Sequence, residues 1–258
     1  MEMNYRDYTR HADELLQDGI ICKAVDKLEP LGKFVMKGIG CWEPVYYPGF
    51  TLITPACEED HDNADIYRKL LTARELWLSR HVNLSKCIEA PDQALHMTVA
   101  RLISGRDFET NRMELYEDSF LDRMKGLFEK LAISGRLRFE IKGVSVLPQG
   151  VIAAIVSPIN EADYNCLQNF REFIYSDKVL QAFGVERKRE FIGHISLFYV
   201  EKELDNMEKQ ILYDAVVNTN RQIFAKPMPF YISRAEVRRF NNFLRFDRGK
   251  NWPVFEFI

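Results

Sequence analysis

The chain has 258 residues, 47% hydrophobic and 28% charged, an ordinary globular composition with enough apolar material for a sizeable core. Its formal net charge is −3, so a long DNA or RNA tract is not the expected partner, because backbone binding wants a basic surface. No apolar run approaches the ~18 residues that suggest a membrane span, and five scattered cysteines without a CxxC pair read as reduced thiols in a cytoplasmic protein.

Taken in chain order, Met1 to Arg6 lack the apolar core of a signal peptide. Residues 5–17 predict a short amphipathic helix. Residues 30–50, rich in Gly, Pro and aromatics, predict a loop or irregular hairpin. Residues 1–44 are therefore expected to form an extension and residues 45–258 the main domain. Phe50-Thr51-Leu52-Ile53-Thr54-Pro55 reads as a strand stopped by proline. The acidic run Glu58-Glu59-Asp60-His61-Asp62 suits a helix N-terminus better than a metal site, so no metal and no cofactor is expected. A helix follows over 62–80, with Ile66, Leu70, Ala73 and Trp77 at helical spacing. Leu95 to Ile103 reads as a strand, 119–133 as a helix stopped by Gly135, and Leu137 to Lys142 as a half-buried strand.

The order then repeats. Val151 to Val156 is an apolar strand, 161–183 a helix, and Phe191 to Val200 a strand. Leu204, Met207, Ile211 and Ala215 mark a helix. Strands follow over 229–238 and near 243–246 and 254–257. Duplication of this kind predicts an α+β fold of two pseudo-symmetric lobes, each an antiparallel sheet with helices on its outer face and a cleft between them.

The repeated units share a motif. His96-Met97-Thr98-Val99 and His194-Ile195-Ser196-Leu197 each place a His and a hydroxyl on one face of a strand and apolar residues on the other. One His-x-Ser/Thr is weak evidence, since Ser and Thr are common. Two of them, in apolar-backed strands at matching places of a repeat, point to one shared site. An imidazole with an unperturbed pKa near ~6.5 serves as acid or base near neutrality. Hydroxyls beside it donate to phosphate oxygens where charge builds.

The paired motifs and the duplicated layout resemble the 2H phosphoesterase superfamily, which includes RNA 2′,3′-cyclic phosphodiesterases and 2′-5′ RNA ligase-like proteins. The resemblance covers about residues 45–240. It extends to Leu137–Val156, similar to the family's central hairpin, and to Phe191–Leu197, similar to its second motif block. Gly193 stands where many members have proline. Gly32-Lys33-Phe34 and Tyr47-Pro48-Gly49-Phe50-Thr51 resemble a bacterial subgroup of unassigned function. The resemblance implies His96, Thr98, His194 and Ser196 as the catalytic set. It also implies a metal-independent phosphoesterase acting on a cyclic phosphodiester or 2′-5′ linkage of a nucleotide or short RNA end. The rival reading is a noncatalytic module that captures such a nucleotide in the same cleft.

Further candidates surround the motifs. Tyr47 and Phe50 are placed to stack on a base, although packing is the ordinary role of such aromatics. Phe198 shares the His194 face and Leu102 the His96 face of a regular strand, so both are candidate walls. Arg187 and Arg189 precede the second motif and are candidate phosphate ligands, although a solvated loop flanked by Glu186 and Glu190 is the ordinary fate of such a charge run. Arg101, five residues past His96, faces away unless a bulge re-aims it.

Overall fold

Period-2 and period-3.6 stretches become strands and helices near their predicted places in a computed structural model, which describes residues 2–38, 40–81, 83, 85–133, 135–147 and 149–257. The side chains of Leu76, Trp77 and Ser79 are outside that description, so the inward place expected for Trp77 lies outside the described residues. Two helices, α1 (Tyr5–Glu14) and α2 (Asp18–Asp26), open the chain, the second of them not anticipated. A hairpin of β1 (Phe34–Gly38) and β2 (Cys41–Pro44) leads to β3 (Gly49–Ile53). Helix α3 (Ala64–Thr72) runs on through a π-helical stretch (Ala73–Leu78) into a last turn, α4 (Ser79–His81). Then come β4 (Cys87–Glu89), β5 (Thr98–Ser104), α5 (Arg106–Thr110), α6 (Glu117–Phe128), β6 (Leu137–Leu147) and β7 (Val151–Pro158). The single helix expected over 161–183 is two, α7 (Glu161–Tyr175) and α8 (Lys178–Ala182). Asp177 causes the break, its carboxylate capping the Val179 and Leu180 N–H groups at a new N-terminus. After β8 (His194–Val200), helix α9 (Asn206–Gln222) starts on a reciprocal cap between Asp205 and Glu208.

The strand expected over 229–238 is also two, β9 (Met228–Ile232) and β10 (Arg234–Asn242), and they lie in different sheets. With β11 (Arg245–Asp247) and β12 (Val254–Glu256), β10, β3 and β5 make the first five-stranded sheet. The second runs β4-β8-β7-β6-β9. Every pairing in both is antiparallel. Among the described residues the protein is thus α+β with two five-stranded sheets beside the β1–β2 hairpin, and each five-stranded sheet takes strands from both halves of the chain.

Apolar faces decide where the helices go. Phe50, on the face of β3 shared with Ile103 of β5 and Arg239 of β10, stacks on Phe120 of α6 with centroids 4.8 Å apart. Phe255 of β12 meets Phe128 of α6 and Phe170 of α7. On the second sheet, Phe230 of β9 meets Tyr67 of α3, and α9 lies against the π-helical stretch. Helices therefore cover one face of each sheet. Phe50 corrects one expectation: it is 0% exposed and packs among Phe108, Phe120 and Trp252, so it serves the core and offers nothing to a ligand. Phe50→Ala should lower stability by about 3–5 kcal/mol, read as a shift in the urea midpoint at unchanged slope; a loss below about 1 kcal/mol would place the ring outside the core.

Candidate active site

The first motif is clamped from both sides. Thr54, just past β3, donates its N–H to the Met97 carbonyl and accepts the Met97 N–H on Oγ1, both at 3.0 Å. On the other side an antiparallel bridge joins Met97 to Ile195. That bridge is where the two sheets meet, and it sets the register of the motifs. His96 lies beside Ser196 and Thr98 beside His194, and opposite residues of an antiparallel pair project to one face. Met97 and Ile195 turn into the core, both 0% exposed. Two imidazoles and two hydroxyls are left together on the side away from the covering helices. Directly opposite pairs on such a ladder have Cβ atoms about 5 Å apart and diagonal pairs about 7–8 Å, room for a phosphorus centre between the rings.

A bulge just past the hydroxyl residue of each motif strand determines what surrounds this quartet. Ile53 pairs with Thr98, Leu52 with Ala100 and Thr51 with Arg101, so Val99 is an extra residue. Alternation slips there, and Arg101 joins the Thr98 face with Thr51 and Arg238. In β8, Ala153 pairs with Ser196, Ile152 with Phe198 and Val151 with Tyr199, so Leu197 is the extra residue. Tyr199 takes the place expected for Phe198. Phe198 is accordingly 0% exposed and turned to the core, a correction whose cause is the bulge. Leu102 is buried for the same reason, a second shift of register falling between Arg101 and Ile103.

Arg101 donates to the Tyr47 hydroxyl at 3.2 Å, which lies 3.3 Å from Ser104 Oγ. The Arg101 carbonyl is held by the Tyr175 hydroxyl at 2.9 Å. Among the described residues, each other buried or half-buried arginine has a carboxylate partner. Arg101 has only the neutral tyrosine, an uncompensated guanidinium beside the quartet. Tyr47 is fixed in turn by the Lys33 ammonium 3.7 Å from its ring centroid and by Phe243 at 5.4 Å. Gly105, at φ +61°, leaves room for this ring; a Cβ there would sit 2.5 Å from Tyr47 Cε2. Phe243 continues to Tyr199 at 5.9 Å and Tyr199 to Phe34 at 5.8 Å, so an aromatic row spans from one sheet to the other past the quartet.

The remaining candidates lie elsewhere. Arg187 pairs with Glu172 and Glu2 and lines a separate cavity of about 620 Å³ between α5 and α7 with Tyr175 and Val185. That corrects its expected place: local carboxylates hold it on the helical side. Arg189 is exposed, bonded to Gln149 at 3.2 Å in the turn between β6 and β7. In the acidic run Glu59 pairs with Arg238, and His61 to Asn63 form a short 3₁₀ turn before α3 with no side-chain cap from Asp60. Among the described residues no group of three or more His, Cys, Asp or Glu is placed to hold a metal ion. No helix among them is long and apolar enough to cross a membrane.

Sequence reasoning missed Tyr199, Phe246 and Arg238. Phe246, opposite Phe240 in β11, stands edge-on to the His96 ring at 4.3 Å. Arg238 is buried between Glu236 and Glu59. These come from the far end of the chain, and no local signal links them to His96.

The two imidazoles differ electrostatically. Burial, the neighbouring His194 and the charge of Arg238, opposed by the Ala94 carbonyl, push His96 down to about 3. Burial also lowers His194, opposed by its bond to the Ile192 carbonyl. A carbonyl only accepts, so His194 Nδ1, 2.8 Å from Ile192 O, carries the proton, and Nε2 presents its lone pair. His96 Nδ1 is buried with no hydrogen-bond partner among the described residues. Both rings are neutral near pH 7 in the unliganded protein.

Comparisons with known proteins bear on the fold. No family model and no curated protein matches the sequence. Among solved structures, the chain is similar to a conserved protein of unknown function, ATU0111, from Agrobacterium tumefaciens str. C58, at 14% identity over 86% of this chain and 89% of that one, with a TM-score of 0.58; the two share a fold. Weaker likenesses are TT0787 of Thermus thermophilus (12% identity, 81% and 97% covered, TM-score 0.45) and E. coli LigT complexed with 3′-AMP (8%, 81% and 92%, 0.43).

The depressed histidines set a pH dependence of stability. Between the unfolded value near ~6.5 and the folded value of about 3 for His96, the unfolded chain binds more protons. Stability therefore rises with pH through that window and is lost on acidification. Urea midpoints from pH 7 to 4 should fall less steeply for His96→Gln than for the wild type; parallel curves would show that His96 does not titrate abnormally.

Proposed function

We propose that this protein is a phosphoesterase of the 2H type, acting without a metal on a cyclic phosphodiester or 2′-5′ linkage of a nucleotide or short RNA end. The observation that carries the reading is the Met97–Ile195 bridge, which sets both His-x-hydroxyl motifs side by side on one face. His194 Nε2, its lone pair exposed by the Nδ1–H bond to Ile192, takes a proton from water. The water oxygen attacks phosphorus and the bond to the 2′ or 3′ oxygen breaks. His96 gives its proton to that leaving oxygen. Solvent then returns both rings to their starting states.

His96 needs a proton that burial and Arg238 disfavour in the empty site. A bound phosphate supplies the compensating negative charge, so the acid is assembled by the substrate itself. Thr98 and Ser196 donate to the non-bridging oxygens as charge builds there. Arg101, without a carboxylate partner, suits a phosphate oxygen, and the Tyr47 side of the row suits a base.

The test is hydrolysis of 2′,3′-cyclic nucleotides and 2′-5′ linked oligonucleotides in EDTA. Turnover should fall by about 10²–10⁴-fold in His96→Ala and in His194→Ala, with melting temperatures near wild type at pH 8. Either variant keeping the wild-type rate would overturn the assignment, and tight nucleotide binding with no turnover would make the cleft a capture module instead. Arg101→Ala should raise KM for the same substrates by about tenfold, with kcat changed less; an unchanged KM would remove Arg101 from the binding site.

A further inference from the structure

The three residues before His194 are held by the first eight residues of the chain. Glu2 accepts the Phe191 N–H on Oε2 at 2.7 Å and the Arg171 guanidinium on Oε1 at 2.7 Å. The Phe191 ring lies between the Tyr8 ring, stacked at 5.7 Å and 15°, and the Arg171 guanidinium at 4.7 Å. The Tyr8 hydroxyl, fully buried, accepts the Gly193 N–H and donates to the Val156 carbonyl, each at 2.8 Å. Gly193 fits this contact tightly: a Cβ there would lie 3.1 Å from the hydroxyl. Residues 191 and 193 are thus pinned, and the peptide between them is the one whose carbonyl holds His194 Nδ1. Arg171 also donates to the Val99 carbonyl, so the same cluster touches the bulge beside the first motif. At the first histidine the Ala94 carbonyl, likewise two residues upstream, opposes the lowering of the ring, but no Nδ1 bond of full hydrogen-bond geometry forms there among the described residues.

We propose that Tyr8 and Glu2 are positioning residues for His194, holding the Ile192 carbonyl where it fixes the imidazole as the Nδ1–H tautomer with Nε2 toward the phosphate. The inference rests on the two-histidine reading for its consequence in turnover, but its structural half stands without it. A base whose tautomer and orientation are set in advance loses little to reorganisation when the proton moves. The opening helix is then part of the machinery that sets the second motif.

The decisive variant is Tyr8→Phe, which keeps the ring packing and removes both hydroxyl bonds. In the wild type, 15N signals of the His194 ring should show a protonated Nδ1 and a bare Nε2 at pH 8. In Tyr8→Phe they should move toward a mixture of tautomers, with kcat down about 10- to 100-fold and KM within about twofold. Arg6→Ala, an exposed position on the same helix, should change neither. Glu2→Ala, which frees the Phe191 N–H, should shift the ring signals in the same direction and serves if Tyr8→Phe does not fold. Unchanged ring signals, or an unchanged kcat in the active protein, would overturn the proposal. The ring signals need no substrate: a tautomer shift in a protein that turns nothing over would uphold the positioning role and sink only the catalytic reading.

Discussion

One backbone bridge organises this molecule. Met97 and Ile195 pair where the two sheets meet, and their side chains bury on the helix side. A slip of one residue on either strand would turn an imidazole and a hydroxyl into the core and bring methionine or isoleucine to the ligand face. Burial of Met97 and Ile195 is therefore what holds the register, and the Thr54 clamp on Met97 reinforces it from the first sheet. The apolar half of each motif sets the geometry that its polar half uses.

The same region shows how a duplicated layout becomes chemically unequal. Both motif strands carry a bulge just past the hydroxyl residue, and each re-aims the side chain three positions past that hydroxyl onto the site. In one strand that residue is Arg101, a cation without a carboxylate; in the other it is Tyr199, a neutral ring in an aromatic row. One imidazole has its Nδ1 tied to a carbonyl and the other faces Phe246 beside Arg238. These differences assign the base to His194 in the proposed reaction, a choice on which the motifs themselves are silent.

Charge in the unliganded site is nearly balanced within the protein. Arg238 is neutralised by Glu236 and Glu59 and still disfavours a proton on His96. Both rings are neutral in the unliganded protein, and among the described residues the Arg101 guanidinium beside them has no carboxylate partner, only the Tyr47 hydroxyl. A site of this kind holds little net charge of its own, in keeping with a chain of formal net charge −3.

The residues alone disclosed the α+β character, most element positions and the four motif residues, because alternation, helical spacing and capping are local properties. They could not disclose where alternation fails. Bulges at Val99 and Leu197 depend on pairing with β3 and β7; a regular strand would turn Arg101 away from the site and Phe198 toward it, and the bulged strands do the reverse. Phe50 and Arg187 went astray for a related reason: the packing partner Phe120 and the carboxylates of Glu2 and Glu172 are far from them in the chain. Nor did local pattern show that the 229–238 stretch crosses between sheets, or that Glu2 and Tyr8 reach the second motif. Periodicity records what a segment wants to bury. Which face of which neighbour it buries against, and so which polar atoms converge, is decided only when distant strands pair.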